Sequence, residues 1–159
     1  MNNTTGDANC GFGGSTPAGW GSALTYNTTG SANSAFGVNC LSANTTASYN
    51  TAMGFDAMNQ NTTGASNTAV GKSSLRSNTT GSNNVAMGDS ALNFNTTASQ
   101  NTAVGYQAGY ANTTGTYNTY VGYQSGLNAT TSNYNTGIGH GALSARSEEH
   151  TSELQSRET

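Results

Sequence analysis

The sequence predicts an all-β fold, a parallel β-solenoid of about eight 17-residue coils. Three observations predict it. A unit of the form Asn-Thr-Thr-Gly/Ala-Ser-x-Asn-Thr-Ala-(Val/Met/Phe/Ile)-Gly-x-x-Ala/Ser-Leu-x-x recurs from Asn3 to Ala145. Its starts at Asn27, Asn44, Asn61, Asn78, Asn95, Asn112 and Ala129 lie 17 residues apart, and the unit at Asn3 is seven residues longer. Four columns are uniform along the chain: Thr in the second and third, Asn in the seventh and Gly in the eleventh. A short fixed period of this kind marks a solenoid, in which each repeat is one coil that covers its neighbour's open face.

Composition agrees. Only 33% of the 159 residues are hydrophobic and 7% are charged. Disordered chains usually combine high net charge with irregular composition, whereas this one sets Val, Met, Leu and Ala at constant offsets. Its order therefore comes from stacking rather than from a large central core.

Within one unit the seventh to eleventh columns, such as Asn67 to Gly71, are short and bounded by Asn and Gly, which reads as a strand. The Gly and two variable residues make a turn. The last four columns then read as a second short strand, carrying Leu41, Met58, Leu75, Leu92 and Leu143 in the fifteenth column. The Thr-Thr-Gly-Ser segment and the seventh-column Asn supply the second turn, because Gly and Asn accept positive φ and Ser, Thr and Asn bond locally to backbone. Coils stacked at about 4.8 Å would place identical residues above one another and let Asn amides form ladders along a rod roughly 40 Å long. Two open ends without capping segments are expected, and Met1 falls where the end of a preceding repeat would lie, so the chain reads as a piece of something longer.

The coil interior is expected to hold the tenth column (Phe12, Phe36, Met53, Val70, Met87, Val104, Val121, Ile138) together with the fifteenth. The mostly Ala ninth column would then be a flat outer face. In the reverse arrangement the apolar tenth column faces outward and needs a partner to cover it. Either arrangement implies self-association.

The segments Asn83 to Gly88 and Asn67 to Gly71 resemble the Asn-Ser-Val-Ala-Ile-Gly repeat of the YadA-like heads of trimeric autotransporter adhesins. The complete unit with its Asn-Thr-Thr-Gly turn is similar to repeat arrays of long surface proteins and phage tail fibres. The resemblance covers nearly all of Asn3 to Ala145 and implies left-handed coils, a homotrimer, and an extracellular place on a bacterial surface or virion. A host-surface glycan or protein receptor is the partner it implies. No self-cleaving chaperone domain, coiled-coil stalk or membrane anchor accompanies the repeats, so no membrane insertion is expected of this segment.

Candidate contact residues are few. The twelfth column stacks Phe55, Lys72, Asp89, Tyr106, Tyr123 and His140. Lys72 and Asp89 become neighbours and are expected to pair, while Tyr106, Tyr123 and His140 form an aromatic ladder able to meet sugar rings, or merely a structural stack. Tyr117 and Tyr134 stack separately in the sixth column. Trp20 and Pro17 lie in the longer first unit, in a loop that covers the coil edge or touches a receptor. Asn-Thr-Thr is also a glycosylation acceptor, at Asn3, Asn27, Asn44, Asn61, Asn78, Asn95 and Asn112, although glycans about 4.8 Å apart would collide at full occupancy.

Several functions are disfavoured. From Met1 to Ala145 the only charged side chains are Asp7, Asp56, Asp89, Lys72 and Arg76, so no basic patch exists for nucleic acid. His140 is the sole histidine before the tail, no catalytic or metal-ligand spacing accompanies it, and the Asp-bearing nonapeptide of Ca²⁺-binding β-rolls is absent; neither enzyme nor cofactor is expected. Cys10 and Cys40 fall in different columns and read as small buried side chains rather than a disulfide. All four glutamates lie in the last twelve residues, and the 146–159 segment resembles translated sequencing adapter, outside the fold.

The expected function is a structural and adhesive rod, the shaft or head of a surface adhesin or phage fibre. Alternatives are a self-assembling extracellular fibril and an ice-binding solenoid. Ice matching wants Thr-x-Thr on one face, whereas the adjacent Thr columns here should point to opposite faces.

Overall fold

The computed structural model describes residues 5–14 and 21–144. Trp20, Pro17, Asn3 and the adapter-like tail lie outside these residues. Eight three-residue strands follow one another: β1 (Cys10–Phe12), β2 (Ser34–Phe36), β3 (Thr51–Met53), β4 (Thr68–Val70), β5 (Val85–Met87), β6 (Thr102–Val104), β7 (Thr119–Val121) and β8 (Thr136–Ile138). They form one parallel sheet in chain order. From β2 to β8 the strands begin at six successive intervals of 17 residues, and β1 precedes β2 by 24. Like pairs with like: Ser34 opposes Thr51, Ala35 opposes Ala52, and Phe36 opposes Met53. The chain is thus an all-β parallel solenoid, with no helix among the described residues.

The second half of each coil is not the strand that its Leu column predicts. It is a run of overlapping turns. In one coil Ala57, Asn59 and Asn61 donate to the carbonyls of Gly54, Asp56 and Met58, at 3.4, 3.3 and 3.2 Å. Asp56 and Met58, the third residues of the first two turns, have φ of 56° and 49°, as type II turns require. The remaining N–H groups point along the rod: Asp56 donates to Val38 and Met58 to Ser74, in the coils on either side. Alternating the sign of φ curls the chain back toward the sheet while pairing most amides within the turns or with the neighbouring coils.

The interior is the reverse of the expected one. Ala35, Ala52, Ala69, Ala86 and Ala103 of the ninth column are fully buried and pack in one core with Leu41, Met58, Leu75 and Leu92 of the fifteenth. The tenth column faces outward, with Phe36 at 39%, Met53 at 44% and Met87 at 43% exposure. Volume decides this. The coil is so thin that Ala facing Leu already fills it, and a second bulky column would overpack it.

Tyr120 demonstrates the limit. It is the one large residue in the ninth column, and it is fully buried. The fifteenth column beside it is Gly109 and Gly126 in place of Leu, and a Cβ on Gly126 would lie 2.4 Å from the Tyr120 ring. One aromatic ring therefore replaces two leucine side chains. Tyr120→Ala should cost about 3–5 kcal/mol in chemical denaturation, from the cavity it leaves. Adding Gly109→Leu and Gly126→Leu should restore most of that loss, since leucines adopt the same positive φ elsewhere in this column, such as 48° at Leu75.

Two buried asparagine ladders run along the rod. In the first column Nδ2 of Asn44, Asn61, Asn78, Asn95 and Asn112 donates to Oδ1 of the Asn one coil earlier, at 2.7–3.0 Å. The same amide closes its own turn, as when Asn78 donates to the Gly81 carbonyl at 2.9 Å. In the seventh column Oδ1 accepts the backbone N–H of the next coil, for example Asn84 to Asn67 at 2.9 Å. The ladders require close coils. At the invariant glycine the approach is close: Gly71 has φ of +129°, and a Cβ there would lie 2.5 Å from the Gly88 carbonyl oxygen. Side chains are excluded there by conformation and by space together.

The first ladder stops where the sequence departs from the pattern. Ala129 occupies the position of the next Asn, and Asn112 Oδ1 is buried without a hydrogen-bond partner. Ala129→Asn should supply the missing donor and raise stability by about 1–2 kcal/mol, read as a shift of the denaturation midpoint at unchanged slope.

Candidate functional site

With its interior closed by Ala, Leu and amide ladders, the rod offers chemistry only on its outside. Three outward features are distinct. The first is the tenth-column stripe on the sheet, flanked by the half-buried eighth column of mostly Thr. Phe12 and Ile138 at its ends are the most exposed, at 76% and 71%. Strand alternation places both columns on one face, so the apolar side chains form a continuous band along all eight strands.

The second feature is the aromatic stack, which forms as expected. Tyr106 and Tyr123 stack at 5.2 Å and 18°, and Tyr123 and His140 at 5.1 Å and 6°. Tyr117 and Tyr134 stack separately at 5.0 Å and 8°. Rings this nearly parallel cover one another's faces. What they show to solvent at mid-stack is their edges, so sugar stacking on a ring face has room only at the ends of the stack.

The third feature is threonine. Second-column hydroxyls are spent on the fold, as in Thr28 Oγ1 to the Thr45 carbonyl at 2.9 Å and Thr62 Oγ1 to the Thr79 carbonyl at 3.0 Å. Third-column threonines are exposed. Second-column threonines are mostly half-buried, so the Thr-Thr pair presents one exposed row, apart from the half-buried threonines of the eighth column on the sheet face.

The acceptor asparagines Asn27, Asn44, Asn61, Asn78, Asn95 and Asn112 are all at or below 1% exposure. The Nδ2 that a glycan would occupy donates within the ladder and its turn, so the folded rod has no room for a sugar at these positions. Charge is arranged differently from the expected Lys72–Asp89 pair. Arg76 Nε lies 3.5 Å from Asp56 Oδ2, and Asn39 Nδ2 donates to Asp56 Oδ1 at 3.0 Å. Asp89 Oδ1 instead accepts from the Ser90 hydroxyl at 2.6 Å, and Lys72 is exposed.

Both cysteines are free thiols; Cys40 is buried and Cys10, expected inside, is exposed because its column lies on the outer face. The Cys40 thiol donates to the Ala52 carbonyl at 3.0 Å, as the Ser125 hydroxyl in the same column does to Gly137 at 2.9 Å. Burial pushes its pKa up to about 12, against the smaller downward pull of backbone hydrogen bonds at Phe36 and Gly54. A thiol so held is a packing group, not a nucleophile. In a Cys10→Ser variant it should resist a thiol reagent at pH 8 and react fully in denaturant. Because its folded pKa is raised, the stabilisation is present below the unfolded thiol range and should fade as pH climbs from about 9 toward 12.

Among the described residues no three His, Cys, Asp or Glu side chains are grouped to hold a metal ion. No helix there is long and apolar enough to cross a membrane. No protein-family model, curated protein or solved structure matches the chain. The uncovered apolar band is the feature for which the fold itself gives no account. Sequence reasoning weighed this outward arrangement second, and missed Tyr120, whose signal is a Tyr in an Ala column beside two Gly in a Leu column.

Proposed function

We propose that the chain is a rigid structural and adhesive rod whose apolar band is covered by copies of the same chain. The observation that carries this reading is the outward tenth column on an otherwise nearly chargeless solenoid. Bands of this size on a soluble monomer mark association surfaces. A stack of in-register coils with amide ladders resists bending, which suits a shaft that sets reach and multiplies weak contacts.

The resemblance to adhesin heads and phage fibres would add eight left-handed coils, three copies side by side, and a place outside the cell or on a virion. In that setting a host-surface glycan or protein is the receptor, met by ring edges of Tyr106, Tyr123 and His140 and by the Trp20 segment. The reading calls for no catalysis and no cofactor.

The test is solution mass by light scattering. A multiple of the chain mass is expected, and Met53→Glu with Met87→Glu should reduce it to that of one chain while leaving the circular dichroism spectrum unchanged. A monomeric parent would overturn the reading, and open-ended polymers would favour a fibril stacked through the coil edges instead.

A further inference from the structure

We propose that the copy covering the band is a single second chain running antiparallel, related by a two-fold axis along the strand direction. This rests on the self-associating rod of the preceding section and departs from three-fold packing in the number and direction of the copies. Such an axis keeps strand direction, reverses the rod and turns one sheet to face the other. Each column therefore meets the same column of the second copy, read in the opposite order.

Charge locates the axis. Lys72 and Asp89 occupy the same column in adjacent coils and do not bond each other. An axis midway between β4 and β5 sets Lys72 opposite Asp89 of the second copy, and Asp89 opposite its Lys72. The remaining pairs then follow without further choice. In the tenth column Val70 meets Met87, Met53 meets Val104, Phe36 meets Val121, and Phe12 meets Ile138. Every Phe or Met thus faces a β-branched residue, which keeps the gap between sheets even. In the twelfth column Phe55 meets Tyr106, an aromatic pair, and Val38 meets the larger Tyr123.

Parallel packing does the opposite. With the axis along the rod, Phe12 lies against Phe12 and Val121 against Val121, so the gap must taper, and Lys72 has no acid at its own level. Five columns across eight strands make a face on the order of 500 Å², or about 1,000 Å² from two copies, the lower limit for a specific interface. The dimer should therefore form reversibly. Rods projecting toward each other from two surfaces would join in this way, making a second copy the chemical partner of the adhesive rod.

Direction can be read from Cys10, which is exposed on β1. The axis sets Cys10 opposite Thr136 of the second copy, whereas parallel packing keeps it at the same end of the rod as its own equivalent, seven strands from position 136. The full chain is sedimented over a concentration series, then treated with a short bis-maleimide that spans the roughly 10 Å between facing sheets, as parent and as Thr136→Cys. A twofold mass, with cross-linked dimers only in the variant and joining position 10 to position 136 in peptide mapping, is the expected result. Cross-linked parent chains, or a variant that gains no such link, overturn the proposal. A threefold mass overturns it but leaves the self-associating rod standing, and a monomer at every concentration removes both.

Discussion

The constraint on which the rod depends is that no buried asparagine side chain is satisfied wholly inside its own coil. Asn33, Asn50, Asn84 and Asn101 are fully buried, and each needs the coil before it for a donor or acceptor and the coil after it for another. Leaving such a group unpaired costs about 1–3 kcal/mol. Slipping one coil by a single residue would strand two amides at once and turn the core alanines outward. The 17-residue period is thus enforced by polar groups more than by apolar ones, since an Ala column by itself tolerates many registers.

The same closeness explains an unusual backbone. Among the described residues twenty non-glycine positions have positive φ, including buried Leu24, Leu41, Leu75 and Leu92. Each such residue is strained by roughly 1 kcal/mol or more in isolation. Together they are tolerable because the hydrogen bonds to the coils above and below over-determine each turn. Strain that a single coil could not hold is held by stacking. Stability here is therefore a property of neighbouring pairs of coils, as in other one-dimensional folds.

Much of this was legible in the repeat. The period, the first strand, the ladders, the turn glycines and the aromatic stack all follow from placing like residues above like, which needs no knowledge of the third dimension. What was not legible was which apolar column is inside. Hydropathy favours Phe36 and Met53 over Ala35 and Ala52, yet the interior takes the alanines because its width, not its affinity for apolar groups, is limiting. The acceptor asparagines show the complementary failure. Asn61 reads as a surface motif from its two following threonines, but the ladder that needs its amide lies 17 residues away in each direction.

Because the interior admits little beyond Ala, Leu and Asn, variety along the chain is confined to the columns that point outward. The fifth, sixth, tenth, twelfth, thirteenth, sixteenth and seventeenth columns carry nearly all of it, including Lys72, Arg76, Asp89 and the stacked tyrosines. The one inward exception, Tyr120, is compensated at once by two glycines. Fold and surface are in this way nearly independent: ladders and turn glycines specify the rod, while the outward columns can be rewritten coil by coil. A solenoid so built cannot bury its own outer apolar column, however, since the sheet has only one inner face and the Leu column already fills it. In the association proposed above, what selects Phe, Met, Val and Ile there acts between molecules, and the band belongs to the assembly rather than to the chain.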